Sequence, residues 1–152
     1  IAEAGEGAFA FCASLKSVTI PKGLDKISER MFMNSGLTSI VIPSNITEIG
    51  ANAFDGCNMT TVTVEEGLRV LNEGALRLSS LAQRITLPAS LQEIRTDGYM
   101  QTVCANTVII KSPNVKIAQG EVGAIWAQEI YAPSGSTAEQ YAKQNGIEFH
   151  TL

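Results

Sequence analysis

Few residues in this chain are of types that do covalent or acid–base chemistry, so their spacing decides what they can do. Glu48 and Glu93 stand 45 residues apart, and so do Cys12 and Cys57. Two carboxyls about 6.5–9.5 Å apart can hydrolyse a glycosidic bond by the inverting route. Two thiols can join when their Cα atoms lie within about 7 Å. Cys104 is the third thiol and His150 the one histidine. With no C-x-x-C and a single imidazole, the chain lacks the ligand spacing of a metal site, and no cofactor is expected. A Ser-His-Asp triad needs an aspartate aimed at His150, but Asp25, Asp55 and Asp97 fall in turns elsewhere along the chain. His150, third from the end, is expected to cap the chain or to face solvent.

The shared spacing of 45 comes from an internal repeat. Leu15-Lys16-Ser17-Val18-Thr19-Ile20-Pro21 returns as Leu37-Thr38-Ser39-Ile40-Val41-Ile42-Pro43, then as Met59-Thr60-Thr61-Val62-Thr63-Val64-Glu65. Leu81-Ala82-Gln83-Arg84-Ile85-Thr86-Leu87-Pro88 is a fourth copy with one extra residue. The apolar anchors Val18, Ile40, Val62, Ile85, Val108 and Ile130 follow at steps of 22, 22, 23, 23 and 22. Ile27, Ile49, Leu71, Ile94 and Ile117 keep the same step, as do Leu24, Ile46, Leu68 and Leu91. A large apolar position closes each unit: Phe9, Phe32, Phe54, Leu76, Tyr99 and Val122. Pro21, Pro43, Pro88 and Pro133 end the short strands, where a missing ladder donor does least harm.

A unit of this size cannot stand alone. Five or six apolar side chains are worth roughly 10–15 kcal/mol on burial, against about 30 kcal/mol to order some twenty-two residues. Stacked units share a core and a ladder of strands, which makes the chain a solenoid. At about 4.8 Å per rung, residues two rungs apart are roughly 9–10 Å apart. Cys12 and Cys57 are therefore too far apart to bridge, and are expected to be reduced, buried small hydrophobes; Cys104, with no repeat partner, is expected to be a free thiol. Glu48 and Glu93 match the inverting distance only loosely. Val70 lies between them, Lys26 and Lys116 flank them, and the side of a solenoid offers no cleft, so they read as a solvated charged column.

The period fails at the C-terminus. Ser136-Thr137-Ala138-Glu139 is a capping box, Ala138, Tyr141 and Ala142 share a helical face, and Asn145-Gly146 is a stop. A last short strand, Ile147-Glu148-Phe149, follows. One domain is expected, with a partial first rung over 1–14, regular repeats over 15–118, an irregular last rung over 119–133 and a cap over 134–152. Residues 119–128, containing Trp126, read as coil. Because Ala4-Gly5-Glu6-Gly7-Ala8-Phe9 aligns with Ile49-Gly50-Ala51-Asn52-Ala53-Phe54, the chain opens inside a unit and is expected to be the C-terminal piece of a longer array.

The pattern L-x-S-I-x-I-P, a short spacer, then I-G-x-x-A-F-x-x-C resembles the BspA-like class of bacterial leucine-rich repeats. Residues 37–57 carry it almost whole, in Leu37, Ser39, Ile40, Ile42, Pro43, Ile49, Gly50, Ala53, Phe54 and Cys57. Tyr131, residues 136–142 and residues 146–149 also resemble that family's usual terminus. Later units depart from the pattern, with Glu65 in place of Pro and Asn72 and Arg95 in place of Gly. The resemblance implies a β-rich (α+β) solenoid, a right-handed stack of about six 22–23-residue rungs with short strands and short helical turns. It also implies a non-catalytic adhesion or protein-interaction module of a bacterial surface protein, at the cell surface or secreted. Its partners would be host or bacterial surface proteins and glycans. The alternative is a structural spacer or accessory module of a larger secreted protein or enzyme.

The composition agrees with a role among proteins. Lys+Arg 11 against Asp+Glu 15 gives a net charge of −4, and without a basic run there is no footprint for nucleic acid. No apolar stretch reaches eighteen residues, so no membrane insertion by this segment is expected. Two columns point away from the core beside each anchor: Ser17, Ser39, Thr61, Arg84, Thr107 and Glu129, and Thr19, Val41, Thr63, Thr86, Ile109 and Tyr131. The expected binding strip is Thr63, Arg84, Thr86, Thr107, Ile109, Glu129 and Tyr131, since solenoids bind through extended faces and Arg and Tyr anchor interfaces. Asn45-Ile46-Thr47 and Asn58-Met59-Thr60 fit the N-glycosylation pattern, but Thr47 and Thr60 fall at ordinary polar positions of the repeat, and both sites read as incidental.

Overall fold

The computed structural model describes residues 4–79 and 82–152. Leu81 of the fourth copy and the first three residues of the opening unit lie outside the described residues. The strands are β1 (Lys26–Ile27), β2 (Ser39–Ile42), β3 (Glu48–Ile49), β4 (Thr61–Val64), β5 (Val70–Leu71) and β6 (Ala82–Leu87). There follow β7 (Glu93–Ile94), β8 (Val103–Ile110), β9 (Lys116–Ile117), β10 (Ile125–Trp126) and β11 (Glu129–Ala132), then helix α1 (Thr137–Gln144) and β12 (Glu148–Thr151).

Two parallel sheets run along the stack. One has the order β1-β3-β5-β7-β9, the other β12-β11-β8-β6-β4-β2, with β10 paired to β8 off that path. Register follows the repeat. Ile40 pairs with Val62, Val62 with Ile85, Ile85 with Val108 and Val108 with Ile130. In the second sheet, Ile27, Ile49, Leu71, Ile94 and Ile117 form one unbroken file. Alternation turns these side chains into a core shared by all rungs. Strands β2, β6 and β11 stop one residue before Pro43, Pro88 and Pro133. The first unit differs. Lys16–Ile20 forms no strand, although Thr38 N–H donates to the Lys16 carbonyl at 3.2 Å and Val18 packs against the core half-buried.

The short helical turns take a particular form. Met31 N–H donates to Ser28 O and Met33 N–H to Arg30 O, closing reverse turns, while Arg30, Phe32 and Asn34 N–H reach forward to Ala51, Asp55 and Ala53 carbonyls of the next rung, Phe32 taking Ala53 and Asn34 taking Asp55. Alternate amides thus serve the turn and the stack. This requires left-handed backbone at Gly7, Arg30, Asn52 and Gly74, which occupy one column. Glycine and asparagine tolerate that region best. Elsewhere around the rung the donors point backward, as in Gly36 N–H to Cys12 O and Gly50 N–H to Ile27 O.

The closing column departs from the sequence alignment in its last two members. Phe9, Phe32 and Phe54 stack, with centroids 5.5 and 5.3 Å apart and nearly parallel planes. Phe54 N–H then donates to Ala75 O, Leu76 N–H to Thr102 O and Val103 N–H to Ala124 O. The slots after Leu76 are therefore filled by buried Val103 and Ile125, and Tyr99 and Val122 are exposed, Tyr99 by 72%. Extra residues loop out before Val103, where Asp97 Oδ1 accepts from Tyr99 and Met100 N–H. The chain recovers the count by running straight through β8, reaching Val108 five residues after Val103, whereas Leu76 to Ile85 takes nine. Residues 119–128 are accordingly not coil throughout, because Ile125 and Trp126 pair with Val103 and Cys104.

The cap forms as its sequence dictates. Ser136 Oγ accepts from Glu139 N–H at 3.2 Å, and Glu139 Oε2 accepts from Gly135 N–H at 2.6 Å. Ala138, Tyr141 and Ala142 are buried. The Tyr141 hydroxyl accepts from Ile125 N–H and donates to Ile125 O, tying α1 to the last rung.

Candidate interaction face

The outward columns of the larger sheet are in register. Ser39 lies beside Thr61 and Val41 beside Thr63. Arg84, Thr107 and Glu129 form one file and Thr86, Ile109 and Tyr131 the other. Thr63 and Arg84 are exposed, and Thr86, Ile109, Glu129 and Tyr131 are half-buried. Thr107 corrects the expectation. It is only 8% exposed, because its hydroxyl turns along the sheet and donates to Glu129 Oε1 at 2.6 Å.

Strand β12 extends both columns by one residue. Glu148 lies beside Glu129 and His150 beside Tyr131. His150 neither caps a helix nor projects freely into solvent: its ring stacks on Tyr131 with centroids 4.6 Å apart. Its Nε2 is buried 3.3 Å from both Glu129 Oε2 and Glu148 Oε1, outside hydrogen-bond geometry to either. Glu148 and His150 both lie beyond the last copy of the repeat. The signal was present in the alternation Glu148-Phe149-His150, which copies Glu129-Ile130-Tyr131 once the strand is extended to Thr151.

The face therefore has two chemically distinct ends. Near its start, an open groove of about 400 Å³ lies between residues 17–20 and β2, lined in part by Ser17, Thr19, Ser39, Val41, Thr61 and Thr63. Those side chains are uncharged. At its other end the Thr107 hydroxyl chiefly, then His150, Tyr131 and Arg84, hold the Glu129 carboxyl below the usual glutamate range. Partial burial, then the Glu129 charge, pushes the Tyr131 phenol up.

The chemistry weighed at Glu48 and Glu93 resolves into a ladder on the smaller sheet. Lys26 Nζ lies 2.8 Å from Glu48, and Lys116 and Arg95 lie 3.4 and 2.9 Å from Glu93. Asn72 links the halves, donating to Glu48 Oε1 and accepting from Arg95. Both carboxyls are held below the ordinary range, Glu48 first by Lys26 and Glu93 first by Arg95. Both are thus engaged in ion pairs along the sheet. All three thiols are unpaired, but Cys12 is exposed where burial was expected, since no described rung covers its outer side. Among the described residues no group of three His, Cys, Asp or Glu side chains is placed to hold a metal ion, and no helix is long and apolar enough to cross a membrane.

Comparison with family models decides what this stack is. Six copies of the BspA type leucine rich repeat region match residues 2–121. The chain belongs to the BspA-type leucine-rich repeat family. No curated protein matches significantly. Among solved structures, a leucine-rich repeat protein from Bacteroides ovatus ATCC 8483 aligns over 97% of this chain and 51% of its own, at 16% identity and a TM-score of 0.38. This chain thus spans about half the length of that protein. The BspA-type unit accounts for the repeated geometry of the middle rungs, and the match ends at residue 121, where the structure passes into the last rung and the cap.

Proposed function

We propose that this BspA-type chain is a non-catalytic, extracellular binding module that engages host or bacterial surface proteins, or glycans on them, through the outward face of its larger sheet. The observation that carries this reading is the continuity of that face. Parallel strands in register from β2 to β12 set out two files of side chains at a fixed rise, a rigid and extended template of the sort solenoids use for recognition. The side chains fit an interface more than a plain solvated strand. Tyr131, Ile109 and Arg84 stand at the charged end, where aromatic and guanidinium groups anchor partners most effectively, and Val41 lies exposed at the neutral end.

The test is to display the chain on a cell or bead and measure binding to matrix proteins and surface glycans. The triple variant Arg84→Ala, Glu129→Ala, Tyr131→Ala should lose binding at least tenfold while circular dichroism is unchanged. Binding retained by the folded triple variant removes this face as the site.

A further inference from the structure

The two glycosylation sequons become unequal once placed on the fold. Asn45 is half-buried, and its Nδ2 donates to the carbonyls of Pro21, at 3.2 Å, and Leu24 in the preceding rung. That amide holds one rung against the next, and a sugar on its nitrogen would displace at least one of those bonds. Asn58 is exposed, between buried Cys57 and Met59. Its Oδ1 accepts from Ser79 Oγ of the following rung, and among the described residues its Nδ2 donates to no protein atom. Thr60, the third residue of that sequon, is also exposed.

We propose that Asn58 is an acceptor for an N-linked glycan and that Asn45 is not. The donor is a lipid-pyrophosphate-linked oligosaccharide on an oligosaccharyltransferase. Asn58 Nδ2 attacks C1 of the first sugar, the N–C1 bond forms, and the C1–O bond to phosphate breaks. The lipid pyrophosphate leaves, and one amide proton passes to a base of the transferase. The amide oxygen is untouched, so the hydrogen bond from Ser79 survives glycosylation. At Asn45 the reacting nitrogen is itself the structural donor. The sugar would stand three residues ahead of β4, at the margin of the neutral end of the interaction face. Only the native setting of this modification rests on the extracellular reading; the competence of the acceptor does not.

Secretion of the whole chain from a eukaryotic cell line, behind a cleavable signal sequence, tests this. Intact mass before and after peptide-N-glycosidase, with peptide mapping of the unmutated chain, should show one glycan, located at Asn58. It should persist in Thr47→Ala and vanish in both Asn58→Gln and Thr60→Ala. Secreted, folded protein with no glycosidase-sensitive mass, or with the sugar mapped to Asn45, overturns the proposal. Binding through the strand face is measured on unglycosylated protein, so either result leaves that reading separately testable.

Discussion

Tyr131 lies against His150 with ring centroids 4.6 Å apart and planes 20° from parallel, and this contact joins the last strand to the last rung. Among the described residues it is one of three aromatic stacks, and the other two lie in the Phe9–Phe32–Phe54 column at the opposite end. The double-mutant cycle of Tyr131→Ala and His150→Ala should give a coupling of about 0.5–1.5 kcal/mol in chemical denaturation. A coupling near zero would mean that the rings merely share space.

The shifted column gives a sharper contrast. Val103→Ala removes two buried methyl groups' worth of packing and should destabilise by about 1–2 kcal/mol. Tyr99→Ala, at an exposed loop tip, should stay within about 0.5 kcal/mol of the parent. Thermal melts of the two variants check this, and the reverse order would restore Tyr99 to the core.

That contrast also shows which parts of the fold were legible. The anchors and the Ile27–Ile117 file could be read because β-strand alternation forces one side chain per rung into the core, with no freedom of register. Tyr99 and Val122 misled because a fixed count of 22–23 residues cannot reveal a loop in one half of a rung that is offset by a straighter path in the other. Thr107 misled because alternation gives the face of a strand and not the rotamer of a hydroxyl. The left-handed column at Arg30 and Asn52 left only a partial trace, the glycines at its other two positions. For the candidate face, Glu129, Tyr131 and Arg84 followed from the repeat, while Glu148 and His150 lay beyond its last copy.

Acid should destabilise the stack. The carboxyls of Glu48, Glu66, Glu93, Glu129 and Glu139 all sit below the ordinary range, chiefly through hydrogen bonds from Lys26, Ala89 N–H, Arg95, Thr107 and Lys143 respectively. A carboxyl whose folded value lies below its unfolded value, near about 4.3, stabilises the fold above that value and ceases to do so as pH falls through the lower, folded one. The denaturation midpoint should therefore be level from pH 7 to about pH 5 and fall below about pH 4. Glu48→Gln should flatten part of that fall, and high salt should shrink it further where the cation is exposed, as at Lys26 and Lys143.

The thiols should divide by burial. Burial pushes the Cys104 thiol up to about 11 and raises that of Cys57, and both are covered by neighbouring rungs. Cys12 is exposed. A chromogenic disulfide reagent at neutral pH should therefore titrate one thiol in the native chain and three after unfolding, with Cys12→Ser abolishing the fast phase. Fast reaction of two or more thiols in the native chain would mean that the rungs around Cys57 and Cys104 open readily.

The opposed senses of the inter-rung amide bonds bear on how such chains can assemble. At the turn corner the amides of Arg30, Phe32 and Asn34 reach forward, while those of Gly36 and Gly50 reach backward, so each rung presents groups that the next rung meets. Adding a rung in the same sense repeats that match, the head-to-tail geometry that makes open stacks and not closed pairs. Helix α1 and strand β12 lie over the last rung, so the groups it presents are met there by the cap and not by a further repeat.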